Sequence, residues 1–68
     1  MTKKEAISIL SRLDGTKITH DYFTKEEYIY TDENGILFSE DGVKHDWGEF
    51  WKNREGELFN IGWYLYEE

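Results

Sequence analysis

Apolar residues recur at helical spacing up to Leu13 and alternate with polar ones thereafter. Ala6, Ile9, Leu10 and Leu13 follow the i, i+3, i+4, i+7 rule and line one face of a helix. Thr2 and Glu5 stand at capping-box spacing before them. Asp14-Gly15 supplies a stop, with Gly15 suited to the left-handed conformation that closes a helix. Beyond Gly15 the period becomes two. Lys17-Ile18-Thr19, Tyr28-Ile29-Tyr30-Thr31, Ile36-Leu37-Phe38-Ser39 and Val43-Lys44-His45 read as short strands, rich in aromatic and β-branched residues. Asp32-Glu33-Asn34-Gly35 and Glu40-Asp41-Gly42 lie between them as turns, their Asn-Gly and Asp-Gly pairs favouring tight hairpins.

Asp46 and Glu49 repeat the capping-box spacing, and Trp47, Phe50 and Trp51 fall on one face of a short helix ended by Asn53-Arg54-Glu55-Gly56. Trp63-Tyr64-Leu65-Tyr66 forms a last strand, with a start as early as Leu58 open. Gly62 reads as a bulge that turns Ile61 and Trp63 inward. The expected fold is α+β: one domain over residues 1–68, with an N-terminal helix, a small antiparallel β-sheet of about four or five strands, and a short second helix near residues 47–53. Trp63, Leu65, Ile29, Leu37, Phe38 and Phe50 are the expected core, together with the other tryptophans. The tyrosines stand at its edge. Tyr28 and Tyr30 share one strand face, as do Tyr64 and Tyr66, while Trp63 and Leu65 take the other.

A chain of 68 residues buries only roughly 60% of its unfolded surface. It has no cysteine, so stability must come from aromatic packing, from self-association, or from both. The lack of cysteine and of any long apolar run gives the expectation of a cytoplasmic protein.

Charge changes the picture most. Residues 21–68 hold thirteen of the fifteen carboxylates and all twelve aromatic rings, against four cations, a balance of −9; the whole chain carries −7. Such a surface repels phosphate backbones and anionic lipid, so direct nucleic-acid or membrane binding is not expected. It suits a basic partner. Same-face residues on a strand lie about 6.6 Å apart, the same order as successive phosphates on a nucleic-acid strand. Carboxylates so placed could occupy Lys and Arg sites built for phosphate. Their other reading is plain: charges at turns keep sheet edges from pairing and keep a small protein soluble. The candidate partner-binding residues are Asp21, Tyr22, Glu26, Glu27, Tyr28, Asp32, Glu33, Glu40, Asp41, Tyr64 and Tyr66, with Glu55 and Glu57 as further carboxylates. Tyrosine and tryptophan are the types that concentrate binding energy at interfaces.

Chemistry finds little support. His20 and His45 are the only histidines, and a zinc site without cysteine would need carboxylates to complete it, so no metal is expected. Asp32-Glu33-Asn34-Gly35 resembles the start of a calcium loop, but its glycine comes too early and strand follows at once. Ser8, Ser11 and Ser39 stand in no nucleophile motif, and no cofactor or enzymatic activity is expected.

Glu5-Ala6-Ile7-Ser8-Ile9-Leu10, Gly15-Thr16-Lys17-Ile18 and the ending Trp63-Tyr64-Leu65-Tyr66-Glu67 resemble small proteins of phages of Gram-positive bacteria. The layout is also similar to the Thoeris anti-defence family, some of whose relatives act as anti-CRISPR proteins. In that family a Gly-Trp-Asn-Gly-like turn is associated with binding a signalling nucleotide. Here that region reads His20-Asp21-Tyr22-Phe23-Thr24-Lys25, without the tryptophan or the glycines. The resemblance therefore implies a phage-encoded inhibitor that binds and blocks a host defence effector such as a CRISPR nuclease, occupying its basic groove. An oligomer that sequesters a nucleotide messenger, and a structural or assembly protein, remain alternatives.

Overall fold

The computed structural model describes residues 1–67. Helix α1 spans Lys3–Leu10. It begins where Thr2 accepts the Glu5 N–H at 3.1 Å and the Glu5 carboxylate accepts the Thr2 N–H at 3.0 Å, so the capping box removes two of the unsatisfied donors of the first turn. The helix stops earlier than Asp14-Gly15. The Ser11 hydroxyl donates to the Ile7 carbonyl at 2.8 Å. Arg12 and Leu13 donate to carbonyls three residues back, at 3.1 and 3.3 Å, which tightens the last turn. Leu13 then takes a left-handed backbone with φ 56° and leaves the buried stripe.

Five antiparallel strands follow: β1 (Ile18–His20), β2 (Ile29–Thr31), β3 (Leu37–Ser39), β4 (Lys44–His45) and β5 (Trp63–Leu65), in the order β4-β3-β2-β1-β5. Helix α2 (Trp47–Lys52) starts at Asp46, whose side chain accepts the Glu49 N–H. A 3-10 turn at Glu57–Phe59 occupies the stretch read as an early part of the last strand. Among the described residues, no helix is long and apolar enough to cross a membrane.

Both helices supply the core on one side of the sheet. Ala6 and Leu10 of α1 and Phe50 and Trp51 of α2 cluster with Ile18, Ile29, Leu37 and Trp63. Burying such side chains contributes about 1.5–3 kcal/mol each relative to exposure. Thr31, also buried, donates its hydroxyl to the Leu10 carbonyl and ties β2 to the end of α1. Four expected core residues are not there. Phe38 pairs with Tyr30 and points to the opposite face, half-buried. Leu65 shares the face of Ile18 but lies on the edge strand and is 52% exposed. Trp47, in the first turn of α2, is exposed but still meets Trp51 edge-on at 5.8 Å. Ile61 is 66% exposed, because Gly62 swings the chain without turning Ile61 inward.

The β5 end is held from two sides. Met1 N donates to the Trp63 carbonyl at 2.5 Å and Trp63 N donates to the Met1 carbonyl at 3.2 Å. His20, 1% exposed, contacts the Ile61 carbonyl through Nε2 at 2.7 Å and accepts the Tyr22 N–H at Nδ1 at 3.0 Å. That pair of contacts defines a neutral ring with its proton on Nε2.

Candidate functional site

The structure separates the predicted site residues onto two surfaces. The first is the face of the sheet away from both helices. Because side chains alternate along a strand, Tyr28, Tyr30, Phe38, Tyr64 and Tyr66 all fall on it, with Lys17, Thr19 and Lys44. Four of these rings are continuous: Tyr66 to Tyr28 at 4.6 Å, Tyr28 to Tyr30 at 6.1 Å, and Tyr30 stacked on Phe38 at 5.5 Å. Thr19, the small residue of β1, between β2 and β5, lies buried beneath them and donates its hydroxyl to the Glu27 carbonyl. Lys17 Nζ sits 4.8 Å from the centre of the Tyr28 ring. A shallow groove of about 590 Å³ runs along this face between Thr19, Lys25, Tyr64, Leu65, Tyr66 and Glu67.

The second surface lies at the end of the sheet where the β1–β2 loop and the β3–β4 turn meet, as antiparallel order requires. Glu27, Tyr28, Glu40 and Asp41 line a cavity of about 220 Å³ there, floored by Ile29 and Phe50 and flanked by Phe23, Ser39, His45 and Arg54. Arg54 is held flat, its guanidinium carbon 3.8 Å from the centre of the Phe50 ring and its Nη1 donating to the Phe50 carbonyl at 3.2 Å. Burial pulls the Arg54 pKa below its ordinary value, and the Glu27 carboxylate acts against that shift. On the opposite wall the Ser39 hydroxyl donates to Asp41 at 2.5 Å and faces His45 Nε2 at 3.0 Å. These are the residue types of a hydrolytic triad in a different order. The carboxylate accepts the serine hydroxyl's hydrogen bond itself instead of orienting the imidazole, and so holds the hydroxyl as a donor. That hydroxyl, and then the Val43 N–H, hold Asp41 below its ordinary pKa.

The remaining predicted residues lie apart. Tyr22, 66% exposed, stacks on His20 at 5.5 Å, with Asp21 beside it. Glu26 is exposed in the β1–β2 loop. Asp32 and Glu33 stand at the opposite end of the sheet, where they border Tyr30 and Leu13. There Asp32 Oδ1 accepts from the Asn34 and Ile36 N–H groups at 2.9 Å. The sequence reading did not include Tyr30, Phe38, Lys17 and Lys44 in the site; alternation along one strand with Tyr28 signals Tyr30, whereas the other three join the face only through strand register. Among the described residues, no group of three or more His, Cys, Asp or Glu side chains is placed to hold a metal ion.

No protein-family model matches the chain, and comparison with curated proteins and with solved structures finds no similar protein.

Proposed function

We propose that this protein acts by binding alone, as a small phage-type inhibitor that holds the basic, nucleic-acid-binding surface of a host defence effector such as a CRISPR nuclease. The observation that supports this reading is the convergence of Glu27, Glu40 and Asp41 on one cavity with aromatic walls. A cavity of about 220 Å³ is smaller than the roughly 300–1,000 Å³ of drug-sized ligand sites and is suited to a single anchoring side chain. Three carboxylates against one cation, Arg54, in its lining favour an arginine or lysine, although Phe23 and Tyr28 already face Arg54 and Lys17. Asp21 and Glu26, in the same loop, extend the negative field toward a basic groove.

The test is affinity for a purified effector nuclease at rising ionic strength. Binding should fall steeply by about 0.5 M salt, where the Debye length is well below 10 Å. Glu27→Gln, Glu40→Gln and Asp41→Asn combined should weaken it at least about tenfold. Salt-independent binding, or an unaffected triple variant, would overturn the proposal.

A second reading draws on the groove beside Lys25, Tyr64 and Tyr66. A tyrosine there could stack on a base while the lysine meets a phosphate, as in a protein that sequesters a nucleotide messenger. Thermal shift decides it, since a ligand at about 100 times its Kd adds about 2.7 kcal/mol of stability.

A further inference from the structure

The aromatic sheet face carries a charge pattern of its own, unlike that of the acidic ends. One row across the strands, in spatial order from β5 to β4, reads Tyr66, Lys17, Tyr30, Phe38, Lys44. The Tyr30–Phe38 and Phe38–Lys44 pairs are set by strand register. The bond from Tyr66 N to the Lys17 carbonyl places these two opposite each other. Continuing the Ile18–Ile29 pair by one residue brings Lys17 beside Tyr30. Carboxylates reach this face only just past the strand ends, where Asp32, opposite Ile36, and Glu40, one residue beyond β3, flank the row.

We propose that this face binds a second copy of the same chain, face to face, about a two-fold axis parallel to the strands. Such an axis reverses the row from left to right and keeps its height along the strands. Tyr30 then meets Tyr30 of the second copy. Lys17 meets Phe38 of the second copy, and Lys44 meets its Tyr66, beside Glu67. Within this row each lysine falls on a ring and no like charges oppose each other, which makes the row self-complementary, while Asp32, beyond the end of β2, comes toward its own copy. Two twisted sheets stack in this way at about 10 Å with strands within about 30° of each other. A chain of 68 residues without cysteine also gains from covering such a surface. The alternative axis, perpendicular to the strands, sets Lys17 over Thr19 and gives neither lysine a ring of the second copy.

The test is the dimer dissociation constant by sedimentation equilibrium. Wild-type protein is expected to dimerise, and more tightly as salt rises from about 20 to about 200 mM, because salt screens the repulsion between two chains of charge −7. Binding to a basic effector should have the opposite salt dependence. Phe38→Lys sets a cation against Lys17 of the second copy and should weaken the dimer at least about tenfold. Adding Lys17→Phe to that variant restores a ring opposite a cation and should recover most of the loss. Lys44→Glu, at an exposed edge position, keeps the fold and should also weaken the dimer; it decides the matter if Phe38→Lys does not fold. A wild-type monomer at about 1 mM, a dimer unaffected by Phe38→Lys or by Lys44→Glu, or no recovery in the double variant would each overturn the proposal.

Discussion

The imidazole of His20 packs so closely on Gly62 that a Cβ added to the glycine would lie 3.0 Å from Nε2. Gly62 also has φ 93°, a conformation L side chains rarely adopt. The glycine thus serves the buried histidine, letting β5 approach β1 while the ring bridges to Ile61. Gly62→Ala should cost more than the about 1–2 kcal/mol of a left-handed backbone alone, because the ring must also move. Chemical denaturation measures it. Combining it with His20→Ala should recover the steric part, so the two losses should not add.

Leu37 and Phe38 are neighbours in sequence on opposite faces of the sheet. Leu37→Ala empties part of the core and should cost about 2–5 kcal/mol in denaturant unfolding. Phe38→Ala removes a half-buried ring stacked on Tyr30 and should cost about 1 kcal/mol beyond its smaller burial. Equal losses would contradict the assignment of faces.

Helix capping makes a third prediction. Thr2→Ala and Asp46→Ala each strip the acceptor from a first-turn N–H and should each lower stability by about 1 kcal/mol. The effects should add, since the two helices are capped independently.

Arg54 lies over the Phe50 ring, its guanidinium carbon 3.8 Å from the ring centre, and donates to the Phe50 carbonyl. Arg54→Lys keeps the charge, yet should lose most of the roughly 1 kcal/mol of stacking, because an ammonium lacks the flat fork. Near-wild-type stability of the lysine variant would show that charge alone suffices.

Acid should destabilise the protein through three exposed carboxylates. Glu5, Asp14 and Asp41 are each held below their ordinary pKa, mainly by hydrogen bonds from Thr2, Thr16 and Ser39 respectively. A folded-state pKa below the unfolded one gives stability that is complete above the unfolded value and lost as pH falls through the folded value. The melting temperature should therefore decline as pH falls below the ordinary values, 4.5 for Glu5 and 3.8 for Asp14 and Asp41. Asp41→Asn should be less stable at neutral pH and decline less in acid.

The element order was legible because periodicity and caps reinforce each other: Thr2 with Glu5 and Asp46 with Glu49 mark both helix starts. Phe38 shows where that logic ran out. A two-residue turn at Asn34-Gly35 would pair Phe38 with Thr31 and send its ring to the core. Instead Asp32 N donates to the Ile36 carbonyl, and Gly35, at φ 81°, closes a loop one residue longer. One extra residue exchanges the two faces of the following strand. Composition cannot distinguish the two loops. The site divided for a related reason: Glu27, Glu40 and Asp41 meet only because strand order returns two loops to one end, whereas Tyr64 and Tyr66 follow strand alternation onto a face.

The placement of both loops at one end of the sheet gains weight if two chains pair about an axis parallel to their strands. That operation preserves the sense of the strands, so the cavities bounded by Glu27, Glu40 and Asp41 in the two chains lie at the same end of the pair. A partner with two basic side chains at matching separation would then be held bivalently. Its second contact would form at an effective concentration set by the rigid spacing between the cavities, multiplying affinity by up to about 10²–10⁴ without any new contact. Dimerisation would thereby couple the chain's own concentration to its avidity.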